Sequence, residues 1–187
     1  MHAGVPVRIK AFLIDYLLIA AYIILLGLVS VFLFPQIQRL FAGPPALAQT
    51  AGFFLMTLPV SAYFIISDSA AGRGSLGKRI VGLQVTDLRC RPLSLPRSIL
   101  RTALKFLPWE LSHFLVYRLV GTGDGEGVPI SLSILGILIY ALMALYMIVP
   151  FLNQRKQSVY DLLTLTQVIR TTETERREPV FRRKIRL

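Results

Sequence analysis

The sequence predicts an all-α integral membrane protein: a small transmembrane helix bundle of about four membrane passages, the third polar and amphipathic or re-entrant, with a short cytoplasmic β-hairpin-like loop. Three observations predict it. Hydrophobic residues make up 54% of the 187 and mean hydropathy is +0.61, above the usual apolar share of a soluble domain. Apolar stretches recur that are long enough to cross a bilayer as helices, which takes about 20 residues. Lys and Arg, which give a net charge of +11, gather between and after those stretches, as cytoplasmic segments do. In a soluble chain that charge would point to nucleic acid. No aromatic-rich basic motif accompanies it here, so nucleic acid is not an expected partner.

The first helix is expected from about Ile9 to Phe34, ended by Pro35. The connection that follows, Gln36 to Pro45, carries one charge, Arg39, and the breaker Gly43-Pro44-Pro45. Ala46-Leu47-Ala48 has the form of a cleavage site, but the apolar run before it is too long for a signal peptide and ends well short of it. A second span runs from about Ala46 to Ile66, with Thr57, Pro59 and Ser61 on the side expected to meet other helices. From Ser67 to Arg97 the chain becomes a basic loop, with Arg73, Lys78, Arg79, Arg89, Arg91 and Arg97 against Asp68 and Asp87. Within it Val81, Leu83 and Val85 alternate with Gly82 and Gln84, the period of a short strand.

Ser98 to Val120 has the length of a span but holds Arg101, Lys105, Glu110, His113 and Arg118 around Pro108. It either lies flat in the interface or crosses with its charges turned inward. A glycine-rich acidic connection, Gly121 to Gly127, leads to a last span from about Val128 to Leu152. Placing the basic loop and the Arg-rich tail on one side requires four passages, or three plus a re-entrant hairpin, with both termini cytoplasmic and the chain in the plasma or inner membrane. The membrane domain is expected over residues 5–169. Residues 170–187 read as a basic, disordered cytoplasmic tail.

No catalytic constellation stands out, so the chain is not expected to be an enzyme. Gly72-Arg73-Gly74-Ser75-Leu76-Gly77-Lys78-Arg79 imitates a phosphate loop, yet Arg79 stands where the hydroxyl should be, and a membrane span precedes it. Arg73, Lys78 and Arg79 read instead as a basic patch at the membrane surface. Neither His2 nor His113 has partners spaced for a metal, and no cofactor is expected. Glu110 and His113 share a helical face and make a proton relay or, more simply, a polar stripe. Cys90, the single cysteine, reads as an inert loop thiol. Asp161 caps or terminates a short helix just past the last span.

The sharpest local feature is Asp15 inside the first helix, with Arg8 seven residues earlier on nearly the same face. An acid at that depth is costly and by default functional. Arg8 with Asp15, Gly74-x-x-Gly77-Lys78-Arg79-Ile80-Val81-Gly82-Leu83-Gln84-Val85, and Tyr160-Asp161-Leu162-Leu163 together resemble the RDD family of small membrane proteins. The family is named for an arginine and two aspartates. Arg8 and Asp15 match the first two; Asp161 best matches the second aspartate, with Asp68 as the weaker candidate. Family members usually carry Ala-Gly-Thr after the aspartate and two leucines. Here Thr164-Leu165-Thr166 stands in its place, without the glycine a tight turn would use.

The resemblance implies an integral membrane protein of mostly undetermined activity, with transport of some ligand suggested and sodium-proton exchange proposed for some members. Arg8, Asp15 and Asp161 are therefore expected to form one polar cluster at the cytoplasmic end, serving an ion or small-ligand site around Asp15. The alternative is a module without transport that binds or helps assemble a partner membrane protein. Anionic lipid headgroups and a second copy of the chain are the other expected partners.

Overall fold

Among the described residues, three stretches have the length and composition to cross a membrane: Val5–Phe32, Pro45–Asp68 and Ile130–Leu152. The computed structural model describes residues 3–72, 74–122 and 127–171; the expected disordered tail lies almost wholly outside them. Helix α1 (Val5–Phe32) starts earlier than its apolar run because Pro6 sits in the first turn, where a missing N–H costs nothing. The connection after it folds into α2 (Gln36–Phe41). The second span is α3 (Pro45–Gly52) and α4 (Leu58–Asp68), joined without a break by a π-helical turn over Phe53–Thr57. Then come α5 (Leu76–Ile80), β1 (Leu83–Asp87), α6 (Leu95–Val120), α7 (Ile130–Leu152), α8 (Val159–Leu163) and β2 (Thr166–Arg170).

Proline inside a helix strands the carbonyl four residues back, and at membrane depth no water is there to satisfy it. Three such carbonyls each receive a hydroxyl from another element. Pro59 frees Leu55, whose carbonyl accepts from Tyr22 of α1 at 2.6 Å. Pro108 frees Leu104, which accepts from Tyr146 of α7 at 2.7 Å. Pro150 frees Tyr146, which accepts from Ser158, ahead of α8, at 3.1 Å. The prolines therefore pin the bundle together where they interrupt its helices.

These contacts also fix the order of the helices. Asp15 and Tyr22 of α1 meet Tyr63 and Leu55, so α1 runs antiparallel to the second span. Helix α6 follows that span in the opposite direction along its whole length: Ser98 donates to Ile65 O at 2.8 Å, Thr57 donates to Glu110, Gly52 faces the Tyr117 hydroxyl, and Gly121 lies beside Pro45. At 1.5 Å per residue its 26 residues cover about 39 Å. This segment is thus one continuous helix packed along the second span, not a re-entrant hairpin, with Arg101 turned inward. Helix α7 then returns antiparallel to α6, with Tyr146 at Leu104 and Gly136 at Leu115. The bundle is thus α1, α3–α4, α6 and α7 in sequence order, with large apolar side chains such as Leu17, Phe32 and Ile130 exposed on its outside.

One end of the bundle is capped. β1 pairs antiparallel with β2, Val85 opposite Val168, so the basic loop is closed by a strand from the C-terminal stretch. Ala3, Ala11, Leu83, Val85, Leu93 and Val168 form the small apolar core of this cap. The Ala3 N–H donates to Val168 O at 3.0 Å and ties the N-terminus to it.

Candidate functional site

Helix order brings the start of α1, the end of α4, the start of α6 and the end of α7 to the capped end, and most of the chain's buried charge meets there. Asp161 is at the third position of α8, where its Oδ2 accepts the Ser158 N–H at 3.2 Å and closes a capping box. The rest of this fully buried carboxylate serves other elements. Arg101 donates Nε and Nη2 to Oδ1 at 2.9 and 2.8 Å, Thr166 donates its hydroxyl to Oδ1 at 3.1 Å, and Arg8 donates Nη1 to Oδ2 at 3.2 Å.

Arg101, only 3% exposed, bridges two acids. Its Nη1 reaches Asp68 Oδ2 at 2.9 Å, while Lys78 Nζ lies 2.6 Å from both Asp68 oxygens. The Arg101 guanidinium stacks over Tyr160 at 5.0 Å, and Lys105 Nζ lies 3.5 Å from the centre of the Phe64 ring. Breaking a buried pair of this kind leaves an uncompensated charge, so the network holds α1, α4, α5, α6 and α8 in mutual register. Burial pushes Lys78 below the ordinary lysine range against the pull of Asp68. Burial likewise pushes the Tyr160 phenol up.

Asp15 is held differently. Its Oδ1 accepts the Tyr63 hydroxyl at 3.0 Å and the Gly77 N–H at 2.8 Å, and its Oδ2 accepts the Ser75 hydroxyl at 2.5 Å. Leu76 N–H in turn donates to Tyr63 Oη at 2.6 Å. A carboxylate from α1 therefore caps the N-terminus of α5 from outside, a place a local side chain would normally fill. Such an approach needs a residue without a side chain: a Cβ on Gly77 would lie 1.9 Å from Ala11 O.

Of the expected cluster, Arg8 and Asp161 come together, and Asp15 does not join them by a direct bond. Seven residues place the Arg8 and Asp15 backbones about 10 Å apart along α1, and the Arg8 guanidinium turns to Asp161, leaving Asp15 to hydroxyls and an amide. The basic surface patch is corrected at Lys78, which is drawn inward by Asp68 and is not at the surface; Arg79 is exposed, and Arg73 lies outside the described residues. The phosphate-loop likeness also fails locally, since Lys78 is committed to Asp68 and the Ser75 hydroxyl to Asp15. Arg101 and Lys105 were not singled out by sequence. Their signal was the four-residue spacing, with Ser98 and Thr102, on one face of a membrane-length helix.

Arg8, Asp15, Lys78, Arg101, Lys105 and Tyr160, with apolar neighbours from α1, α4 and both strands, line a chamber of about 90 Å³. No group of three or more His, Cys, Asp or Glu side chains that could hold a metal occurs among the described residues.

The sequence matches the RDD family over residues 2–165. The chain belongs to the RDD family. No curated protein and no solved structure matches it. In this RDD protein the arginine and first aspartate of the family pattern, Arg8 and Asp15, line one chamber, and both candidates for the second aspartate, Asp161 and Asp68, bind Arg101. The missing glycine also has a structural trace. Leu165 takes the left-handed backbone, φ 54°, that glycine would adopt without strain.

Proposed function

We propose that this RDD protein is not an enzyme but a transport protein of the cell membrane, plasma or inner, moving an ion or small ligand through the polar chamber around Asp15, with both termini in the cytoplasm. The observation that carries this reading is a chamber lined by ionisable side chains at the end of a membrane bundle, continued along α6 by Glu110 and His113. Intramembrane ionisable groups mark ligand and ion pathways. Arg79, Arg89, Arg91, Arg97, Arg155 and Arg170 surround the capped end as exposed cations, which supports a cytoplasmic orientation and contact with anionic headgroups.

Transport is tested by sodium and proton flux in vesicles reconstituted with the parent, Asp15→Asn and Arg8→Ala, each checked for folding by gel filtration. Flux abolished in folded Asp15→Asn supports the reading; a folded, fully active Asp15→Asn sinks it. Orientation is tested separately. Exposed Cys90, and a cysteine introduced at Arg155, resist an impermeant thiol reagent in intact cells if the capped end is cytoplasmic, whereas a cysteine at Thr122 reacts.

One observation favours the assembly alternative. Glu110 and His113, 3.7 Å apart, keep 28% and 32% of their side chains exposed on a helix at membrane depth, where lipid is a poor neighbour for either. A second copy or a partner membrane protein would cover them. Purification from native membranes in mild detergent decides: a constant stoichiometric partner whose loss follows Glu110→Leu supports assembly.

A further inference from the structure

Around the chamber, four basic side chains (Arg8, Lys78, Arg101, Lys105) face three acids (Asp15, Asp68, Asp161), one base more than there are acids. The ion pairs spend Arg101 on both Asp68 and Asp161, Lys78 on Asp68, and only Nη1 of Arg8 on Asp161. Among the described residues Lys105 has no carboxylate within 4.0 Å. Nε and Nη2 of Arg8 are buried and have no acceptor. A buried charged donor without a partner is expensive, more so than a neutral hydroxyl.

The identity of those two nitrogens matters. Nε and Nη2 form one edge of the guanidinium, and their N–H bonds run parallel, the arrangement that grips two oxygens of a single anion. A halide offers no second atom for that edge. A carboxylate fills it but can meet Lys105 only through those same two oxygens, whereas a phosphate group has a further oxygen for the ammonium. The chamber's 90 Å³ is several times the roughly 10–15 Å³ that one water requires, which leaves room for a phosphate group. Asp15 opposes an anion, but its charge is engaged by three donors, so the anion belongs nearer Arg8 and Lys105.

We propose that the chamber binds one phosphate-type oxyanion, two oxygens on the free edge of Arg8 and a third on Lys105, either as a free phosphate compound or as a phospholipid headgroup entering past half-exposed Phe12. This deepens the ligand-chamber reading above and rests on it. It replaces a cation with an anion as the species the chamber holds.

The test measures binding, so that its result is independent of flux. The full chain is purified in uncharged detergent and dialysed against radiolabelled inorganic phosphate; in parallel it is placed in phosphatidylcholine nanodiscs with and without phosphatidic acid, and retained lipid is counted. The parent is expected to bind one equivalent saturably. Arg8→Lys, which keeps the charge for Asp161 but loses the two-pronged edge, and Lys105→Gln are each expected to weaken binding at least tenfold. Exposed Arg39→Gln, in α2 at the other end of the bundle, leaves it unchanged. Binding of free phosphate assigns a soluble ligand, and retention of phosphatidic acid alone assigns a headgroup; both support the anion site. No saturable binding of either probe overturns it, as does equal weakening in Arg39→Gln. If Arg8→Lys does not fold, Lys105→Gln decides. Anion binding without any flux would keep this site and sink transport; sodium or proton flux without anion binding would do the reverse.

Discussion

Gly77→Ala tests the packing on which the Asp15 side of the chamber depends. The added Cβ would stand 1.9 Å from Ala11 O, whereas ordinary contact begins near 3.4 Å, so α5 must retreat from α1 by about 1.5 Å. That movement carries the Gly77 N–H from 2.8 Å to roughly 4 Å from Asp15 Oδ1, past hydrogen-bonding range. Losing a hydrogen bond to a charged acceptor costs about 1.5–3 kcal/mol. Residual overpacking adds about 1–3 kcal/mol, for a total of about 2.5–6 kcal/mol. Gly27, with nothing within 4 Å of its Cβ position, is the matched control. There alanine should be neutral or stabilise by up to about 1 kcal/mol through helix propensity. Reversible unfolding of the two variants and the parent in one detergent gives the comparison. A Gly77→Ala variant within about 1 kcal/mol of Gly27→Ala would refute the close approach of α5 to α1 and the capping role given to Asp15.

Asp161→Ala removes the acceptor shared by Arg8 and Arg101 and should destabilise by about 3–5 kcal/mol in the same unfolding assay, more than Asp161→Asn, which keeps the shape. Leu165→Gly should stabilise by up to about 1 kcal/mol, because it relieves a left-handed leucine whose side chain is exposed; a loss of stability would contradict that turn. Burial raises Tyr160 above its ordinary 10.0, so above about pH 10 the folded chain retains a proton that the unfolded chain releases, and stability falls with rising pH. Lys78, lowered from 10.5, contributes in the opposite sense just below that value. The Tyr160 part is therefore read as the difference between parent and Tyr160→Phe, whose pH profile should fall less steeply.

The spans were legible because hydropathy over some twenty residues reports the solvent a helix faces, and solvent is what a membrane changes most. The strand at Leu83 to Asp87 was legible from alternation, but its partner was not: pairing with Thr166 to Arg170 is a contact across eighty residues, about which local period says nothing. In the site, Arg8 and Asp161 could be matched by family pattern. The bridge between them and Asp68 could not, because it depends on Arg101, and whether a charge on a membrane helix faces inward is decided by the neighbouring helix. Lys78 was misplaced for the same reason. In the sequence it sits among Arg73, Arg79 and other loop cations, and only the turn that folds Gly74 back on Ser67 brings it to Asp68, where Arg101 of α6 also binds.

The prolines show the rule against which the chamber stands out. At Pro59, Pro108 and Pro150 the helix loses a hydrogen bond, and each time a hydroxyl from a neighbouring element takes up the freed carbonyl. Asp15, an acid at the same kind of depth, is likewise satisfied by three donors, and Asp161 by five. A fold that satisfies its buried polar groups this consistently makes the unmatched donors of Arg8 informative, and beside them Lys105, which meets the Phe64 ring but no carboxylate. The hydroxyls of Thr86 and Thr102 are also buried without partners, but they are neutral and cost less to leave so. Two basic side chains lining one chamber, one with a whole hydrogen-bonding edge free, constitute a deficit of negative charge and of oxygen acceptors around it. A bound oxyanion removes both deficits at once. A bound cation would deepen the first and leave the second, which is why the phosphate measurement and the sodium measurement are expected to part ways.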